Sequence, residues 1–517
     1  MCWPSSVTVS DTMVFRRSNS PAGRGAQFVR ALACIAWISL GGCALQPPYQ
    51  RPADPVPTTW HNPVEADASA LQLDRDGWWM LLEDPAIDEL VAAGLRDNPS
   101  LAEAAARVDR ARAALSAADA GKVPNIGYEG GVSGSGNAGS AGNPDQLSAS
   151  AGLRLSWEID LWGRVRENAA AARHRLAARN ADAEAARLAL IAEIADTALA
   201  LRACNLTLVL RDHDIASRET ELVIARARLG FGAIAPGAVA GIESNLATAR
   251  TDRIMQEESC RYRLNALVAL SGLDAPTIEK GFAPERQWIA NEGAASSLLS
   301  DGMPRPPAFA PGLPATVLLH HPAVVAAERE AAARWSEIAV ARAERLPRLD
   351  LAALLTGQWL RVAGAGDVFA NATGGASIAG PLFDGGAGTA AVSGAEADYR
   401  EAVAQLLGAT RSAARDVEDA LAARQSAGAR RTTTSDAASA ARLALRADEA
   451  RWRAGAIARY ELEESRRQFI RARESTLIAA ADDARAWVAL VRASGPVSDA
   501  GSAEGGRAIS MNRTMDQ

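Results

Sequence analysis

The chain is predicted to be an α+β protein built from one structural unit used twice, each copy supplying two β-strands and one very long helical hairpin. Two observations carry that expectation. Residues Asn98 to Gly272 recur as His321 to Gly495 at a constant offset of 223 positions, with no insertion. The anchors are chemically unlike yet locked in position: Asn98-Pro99 against His321-Pro322, Val123-Pro124 against Leu346-Pro347, Trp162-Gly163 against Gly385-Gly386, Gly232-Ala233-Ile234-Ala235 against Gly455-Ala456-Ile457-Ala458, and Ser271-Gly272 against Ser494-Gly495. Within each copy the hydrophobic pattern runs in one order: a helical stretch, two alternating segments, and a long helical stretch broken once. A repeat this long, with its punctuation in register, implies two equivalent halves rather than a solenoid of short modules.

The first segment reads as a leader. Arg16, Arg17, Arg24 and Arg30 precede an apolar run from Ala31 to Leu40, followed by Gly41-Gly42-Cys43. That is the layout of an export signal, and its apolar core is too short to span a bilayer. A cysteine directly after small residues resembles a bacterial lipobox, which implies cleavage before Cys43 and acylation of its thiol and new amino group. The competing reading is a buried cysteine closing an apolar helix. Pro47, Pro48, Pro52, Pro55 and Pro57 follow at once and oppose any helix there. Met13 is a second candidate start.

Loss of residues 1–42 removes four arginines and Asp11, which moves the formal charge from -6 to -9. An acidic balance gives no support to nucleic-acid binding.

The unit itself follows. Leu101 to Ala120 is rich in alanine and arginine without a breaker, and Val123-Pro124 ends it, because the residue before proline is pushed to extended geometry. Ile126, Tyr128 and Val132 then share one parity. After a loop rich in glycine and asparagine, Leu147, Ala149, Ala151, Leu153, Leu155 and Trp157 alternate with Ser148, Ser150, Gly152, Arg154 and Ser156. The second copy does the same with Leu349, Leu351, Ala353, Leu355 and Trp359, then with Ala370, Ala372, Ala376 and Ile378. Period two with one wet side means a two-faced strand. Four strands of roughly ten residues each approach the length that crosses a bilayer when tilted. They cannot close a barrel alone, so either other copies of the chain complete them or they form a modest soluble sheet.

From Arg164 to Leu229 there is neither proline nor glycine, so a helix on the order of 100 Å long is expected. After the break at Gly230 to Gly237 a second helix runs back to about Leu270, and Gly388 to about Val491 repeats the pattern around Gly455. Alanine-rich antiparallel helices of this length indicate coiled-coil hairpins. Pro276 to Pro314 reads as an irregular connection.

Hairpin geometry also bears on Cys204 and Cys260. With the turn near Ala233, residues whose numbers sum to about 466 lie level on the two helices, and this pair sums to 464. In an oxidising compartment that height match favours a disulfide, the alternative being two separate thiols with either side chain turned away. The counterparts 223 positions on are Ala427 and Asp483, so the second hairpin is expected to lack this staple.

The segments Ser156-Trp157-Glu158-Ile159-Asp160-Leu161-Trp162-Gly163-Arg164 and Gly380-Pro381-Leu382-Phe383-Asp384-Gly385-Gly386 resemble the strand-to-helix junctions of TolC-type outer membrane efflux proteins. The similarity is greatest to the NodT-like lipoprotein subgroup. Gly42-Cys43 with Pro48-Tyr49 and Arg51-Pro52, Trp78-Trp79 with Asp84-Pro85, Asp416 to Leu421, and Arg451-Trp452-Arg453-Ala454-Gly455 extend the resemblance over nearly the whole mature chain. It implies a homotrimer whose four strands per chain make a twelve-stranded outer-membrane barrel, continued by a long periplasmic helical barrel. Expected boundaries are then a signal peptide at 1–42, an N-terminal periplasmic segment at 43–97, repeats at 98–272 and 321–495, a linker in the equatorial zone at 273–320, and a disordered tail at 496–517. His321-Pro322-Ala323 departs from the Arg-Pro-Asp frequent in the family, which bears on local equatorial contacts.

The resemblance also assigns sites. Trp162, Gly163, Gly385 and Gly386 become the strand–helix junctions. Gly232, Ala233, Ile234, Gly455, Ala456 and Ile457 become tips that dock a periplasmic adaptor, though any tight helix-to-helix turn needs small residues there. Glu464 and Arg467 become the acidic and basic side chains of a closed aperture, set against a plain solvated face shared with Glu461, Glu463 and Arg466. Three copies of Glu464 about one axis would favour protonation and Arg467 would oppose it.

No Walker A loop, His-Glu-x-x-His, Cys-x-x-Cys or Gly-x-Ser-x-Gly occurs, so no catalytic constellation, cofactor or metal site is predicted. Adjacent His320 and His321 point apart and make a poor ligand pair. The expected role is a passive exit duct fed by an inner-membrane transporter through the adaptor, with outer-membrane lipid around the barrel. Its rivals are the exit duct of a type I protein secretion system and, in another class, a periplasmic coiled-coil scaffold lipoprotein.

Overall fold

The computed structural model describes residues 46–53, 56–62, 77–135, 146–282, 302–362 and 365–495. Cys43, the leader at 1–42 and the tail at 496–517 lie outside the described residues. The described chain divides into a strand unit and a helical unit.

The strand unit contains β1 (Asn125–Ser135), β2 (Gln146–Ile159), β3 (Arg348–Val362) and β4 (Ala365–Ala379) in one sheet of order β1-β2-β3-β4. Pairing of β2 with β3 is antiparallel from Gln146↔Val362 to Ile159↔Leu349, and β3 with β4 from Arg348↔Ala379 to Val362↔Ala365. The strands run 11, 14, 15 and 15 residues, longer than the roughly ten expected. Ladder pairing carries on past the clearest alternation: Arg361 and Val362 still find partners in β2 and β4.

The helical unit opens with a 3-10 turn at Trp78–Leu82, followed by α1 (Pro85–Asp97) and α2 (Pro99–Ala120). The first hairpin pairs α3 (Arg164–Gly230) with α4 (Pro236–Ser271). Then come α5 (Ala275–Gly281), α6 (Pro314–His320) and α7 (Pro322–Glu344), and the second hairpin pairs α8 (Ala387–Arg453) with α9 (Arg459–Ser494). Both ends of α8 and α9 fall 223 positions beyond those of α3 and α4, giving helices of 67 and 36 residues in each hairpin. The repeat in the letters is thus a repeat in the backbone.

Part of the segment from Pro276 to Pro314 is helical rather than irregular. Pro276 stands in the first turn of α5 and Pro314 in that of α6, where the missing N–H has no intrahelical partner to lose. The same logic explains the Asn98-Pro99 and His321-Pro322 anchors. Each precedes a helix with proline in its first turn, and the Asn98 side chain accepts from Ser100 N at 2.9 Å while donating to Leu270 O at 2.9 Å.

The main core lies where α1 packs among the long helices. Trp78, Ile87, Leu90 and Val91 join Ile191, Ile194 and Leu199 of α3, Leu267 of α4, and Leu477 and Trp487 of α9. Asp84 fixes this corner twice, accepting from Ala86 N at 3.1 Å and pairing with Arg202 at 2.8 Å. Among the described residues no helix is long and apolar enough to cross a membrane.

Candidate functional site: sheet faces, hairpin tips and helix joints

The register sorts the sheet into two chemically distinct faces. Leu153, Leu155 and Trp157 of β2 lie opposite Leu355, Ala353 and Leu351 of β3, which in turn face Ala372, Gly374 and Ala376 of β4. The opposite face carries Ser150, Arg154 and Glu158 against Gln358, Leu354 and Asp350, and beyond them Phe369, Thr373 and Ser377. On that polar side Ser133 and Ser148 hydroxyls bond at 2.7 Å, and Arg154 lies 3.6 Å from Glu129. All of β4 is exposed, as are Ile126, Tyr128 and Val132 of β1. Among the described residues, β1 and β4 are edge strands with one neighbour each.

The two strand-to-helix junctions differ. In the first, only Gly163 takes a left-handed conformation (φ +80°), Trp162 Nε1 donates to Pro347 O at 2.8 Å, and Arg164 grips Glu158 through Nε at 2.9 Å and Nη2 at 2.6 Å. In the second, Gly385 (φ +62°) and Gly386 (φ +95°) are both left-handed, which two residues with Cβ atoms would resist. Asp384 then receives Gly386 N at 2.9 Å and Gly388 N at 2.7 Å, capping α8. Gly380 is explained by close approach, since a Cβ there would stand 2.7 Å from Pro347 Cα.

The tips are near-duplicates. At the end of α3, Gly232 (φ +70°) donates to Leu229 O at 2.8 Å and Ala233 to Arg228 O at 2.8 Å; at the end of α8, Gly455 (φ +72°) donates to Trp452 O at 2.9 Å and Ala456 to Arg451 O at 2.8 Å. Both are Schellman stops, in which a glycine in left-handed geometry lets the chain reverse. Gly232, Ala233, Gly455 and Ala456 are exposed. Ile457 instead turns inward onto Leu445 and Leu462, and Ile234 is half-buried. The large apolar group presented at the first tip is Phe231, 90% exposed, which sequence reasoning passed over. Two cation–π contacts frame this end, Arg228 over Tyr460 at 4.9 Å and Arg459 over Trp452 at 4.8 Å.

Glu464 and Arg467 lie together one turn apart on α9. Arg467 is buried and pairs with Glu464 at 2.7 Å and with Glu221 of α3 at 2.8 Å; Arg471 reaches Glu464 at 3.0 Å. Partial burial pushes the Glu464 pKa up, but hydrogen bonds and charge from Arg467 and Arg471 outweigh it, and the net shift is downward. Within one chain the guanidiniums therefore win. The neighbouring Glu463, part of the charged run that the alternative reading placed on a solvated face, is 0% exposed: it accepts from Ser217 Oγ of α3 at 2.8 Å and from Arg459 at 2.8 Å. Nothing in the sequence distinguished it from Glu461 or Glu464.

Further polar bridges join the hairpins through α3 and α9: Arg211 to Glu474 at 3.0 Å, and Arg485 to Asp196 at 2.8 and 2.9 Å. These bridges make α3 and α9 the members through which the two hairpins are tied by charge. Within hairpin 1, Cys204 and Cys260 are bonded across α3 and α4 with Cα atoms 5.6 Å apart.

Glu418, within the Asp416–Leu421 motif, holds the N-terminal segment. Its carboxylate accepts His61 N at 2.6 Å, Asn62 N at 2.9 Å and Asn62 Nδ2 at 2.9 Å. His320 Nδ1 donates to Thr316 O at 2.8 Å, and His321 ends α6 and opens α7. The His320 ring and the His321 backbone carbonyl, which accepts from Val324 N and Val325 N at 2.9 Å, serve the helix boundary. Among the described residues no group of three or more His, Cys, Asp or Glu side chains is placed to hold a metal ion.

These features define a class of duplicated hairpin proteins that carry a small two-faced sheet. The chain belongs to the outer membrane efflux protein family, whose sequence model matches residues 90–273 and 313–496. It is similar to outer membrane protein OprJ of Pseudomonas aeruginosa, 30% identical over 331 residues, which cover 62% of this chain and 64% of the relative. It is also similar to nodulation protein T of Rhizobium leguminosarum bv. viciae, 24% identical over 337 residues covering 65% and 66%. These matches span slightly less than two thirds of each relative's length. A crystal structure of a membrane protein from Pseudomonas aeruginosa shares the fold, with a TM-score of 0.70 at 26% identity over 88% of this chain and 100% of that one.

Proposed function

We propose that three copies of this chain close into a twelve-stranded outer-membrane barrel continued by a twelve-helix periplasmic tunnel. The assembly serves as the exit duct of a tripartite efflux system, passing small molecules from a periplasmic adaptor and an inner-membrane transporter to the exterior. The observation that carries this reading is the sheet: one face mostly apolar, the other mostly polar though it includes Leu354 and Phe369, and both edge strands open among the described residues. Open edges inside a bilayer would leave backbone groups unsatisfied, and lipid accepts only closed barrels or helices. Joining β4 of one copy to β1 of the next removes every edge, turns the apolar face to lipid and lines the lumen with serine, threonine and paired charges.

With α3 and α9 tied to each other by the polar bridges, α4 and α8 are the helices left to meet neighbouring copies. The tips, with Phe231 beside the small residues, are the docking ends for the adaptor. Acylated Cys43 anchors the mature N-terminus in the outer membrane.

Deleting the gene should raise intracellular accumulation of a fluorescent pump substrate, and a plasmid copy should restore export. Unchanged accumulation together with loss of a specific protein from the culture medium would overturn this reading in favour of protein secretion.

A further inference from the structure

At one level of the two hairpins the duplicated backbone carries exchanged chemistry. Cys204 and Cys260 correspond to Ala427 and Asp483, while Leu201 and Leu208, three residues before and four after Cys204, correspond to Arg424 and Arg431. In hairpin 1 this level is mainly apolar and covalent: Leu201 is buried, Leu208 packs against the core, and the disulfide lies between the helices, with Gln256 Nε2 donating to Cys204 Sγ at 3.2 Å and Arg263 at 3.5 Å. In hairpin 2 it is ionic. Asp483 is 3% exposed and each of its carboxylate oxygens meets a different guanidinium, Oδ1 from Arg424 and Oδ2 from Arg431 at 2.9 Å. Arg424 also donates to the Asp483 carbonyl at 3.2 Å. Ala427, buried between the two arginines, leaves the room in which the carboxylate sits. Spacings of three and four residues place both arginines on the same helix face as Ala427.

We propose that the Arg424–Asp483–Arg431 clamp is a releasable joint standing where hairpin 1 has a covalent one. Helices α8 and α9 part and rejoin at this level, whereas α3 and α4 stay tied. The two joints differ in what water does when they open. A buried ion pair gives up much of its Coulomb attraction to desolvation, and water returns that loss when the joint opens. The packed carbon contacts of hairpin 1 have no such compensation, and its S–S bond opens only with a reductant. The joint lies roughly 40 Å from the second tip, at ~1.5 Å per helical residue. The inference stands on the single chain and does not depend on the proposed conduction.

Hydrogen–deuterium exchange on the purified, oxidised mature protein in detergent tests it. Amides around 424–431 and 480–486 should exchange faster than their counterparts around 201–208 and 257–263. Ala427→Cys with Asp483→Cys should form a second disulfide under oxidising conditions and slow hairpin 2 to the rate of hairpin 1. Asp483→Asn should accelerate hairpin 2 by roughly a hundredfold, as removal of one member of a buried pair does, and leave hairpin 1 unchanged. Equal exchange in the two wild-type hairpins would overturn the proposal. So would a hairpin 2 rate that neither the cross-link nor Asp483→Asn alters.

Discussion

Reducing the Cys204–Cys260 bond should destabilise the chain chiefly through its unfolded state. The bond closes a loop with a sequence separation of 56. Chain-entropy arithmetic for a loop of that length gives on the order of 14 cal/mol/K, or about 4 kcal/mol at room temperature. Reductant is a cleaner perturbation than alanine substitution, because both sulfurs are buried and their removal would add a packing loss. The assay is a urea titration of the purified mature protein in detergent, following helical circular dichroism with and without reductant. The midpoint should fall on reduction, by an amount equal to the lost free energy divided by the slope. Thiol labelling of the denatured, unreduced protein supplies the chemical check, with Cys204 and Cys260 unreactive until reductant is added. Two reactive thiols at the outset would show that no bond joins Cys204 to Cys260, and a midpoint that reduction does not move would show that the bond adds no stability.

Other outcomes follow from particular side chains. Glu464→Ala should raise basal conductance or sensitise cells to large antibiotics, since it removes the carboxylate that Arg467 and Arg471 hold; unchanged conductance at normal trimer yield would return Glu464 to a merely solvated face. Intact-mass analysis should show a lipid-modified N-terminus at Cys43 that Cys43→Ser abolishes, while an unmodified cysteine in the wild type would remove the anchor. Partial burial pushes the Glu418 pKa up, but the N–H groups of His61 and Asn62 and the Asn62 side chain outweigh it and leave it below the ordinary 4.5. The contact therefore stabilises fully above that value and is lost as pH falls through the lower folded value. Protease protection of the segment near Asn62 should drop across that acidic window, and Glu418→Gln should show the drop already at neutral pH.

Much of this architecture was legible because it is periodic. Hydrophobic alternation marked Leu147 to Trp157 as a strand, absence of breakers marked Arg164 to Leu229 as one helix, and a constant offset transferred both readings to the second copy. Even the level of Cys204 and Cys260 followed from helix rise and the position of the turn. Hidden from the sequence were pairings between residues hundreds of positions apart. Glu463 is one charge in a charged run, and only the approach of Ser217 on α3 buries it. Glu418 looked like a family letter until the backbone of His61 and Asn62 arrived at its carboxylate. The offset correctly removed the disulfide from hairpin 2, yet Arg424 and Arg431 gave no sign that they converge on Asp483. Ile457 read as a docking residue because small apolar tips look outward in a string of letters, while in space it closes its own hairpin.

On the proposed function one chain is a third of a channel. The most direct test is planar-bilayer recording on the purified mature protein, with subunit stoichiometry determined by native mass spectrometry on the same preparation. Three copies per particle and discrete single-channel steps are expected. A water-soluble monomer that leaves the bilayer silent would rule out a channel built from three chains.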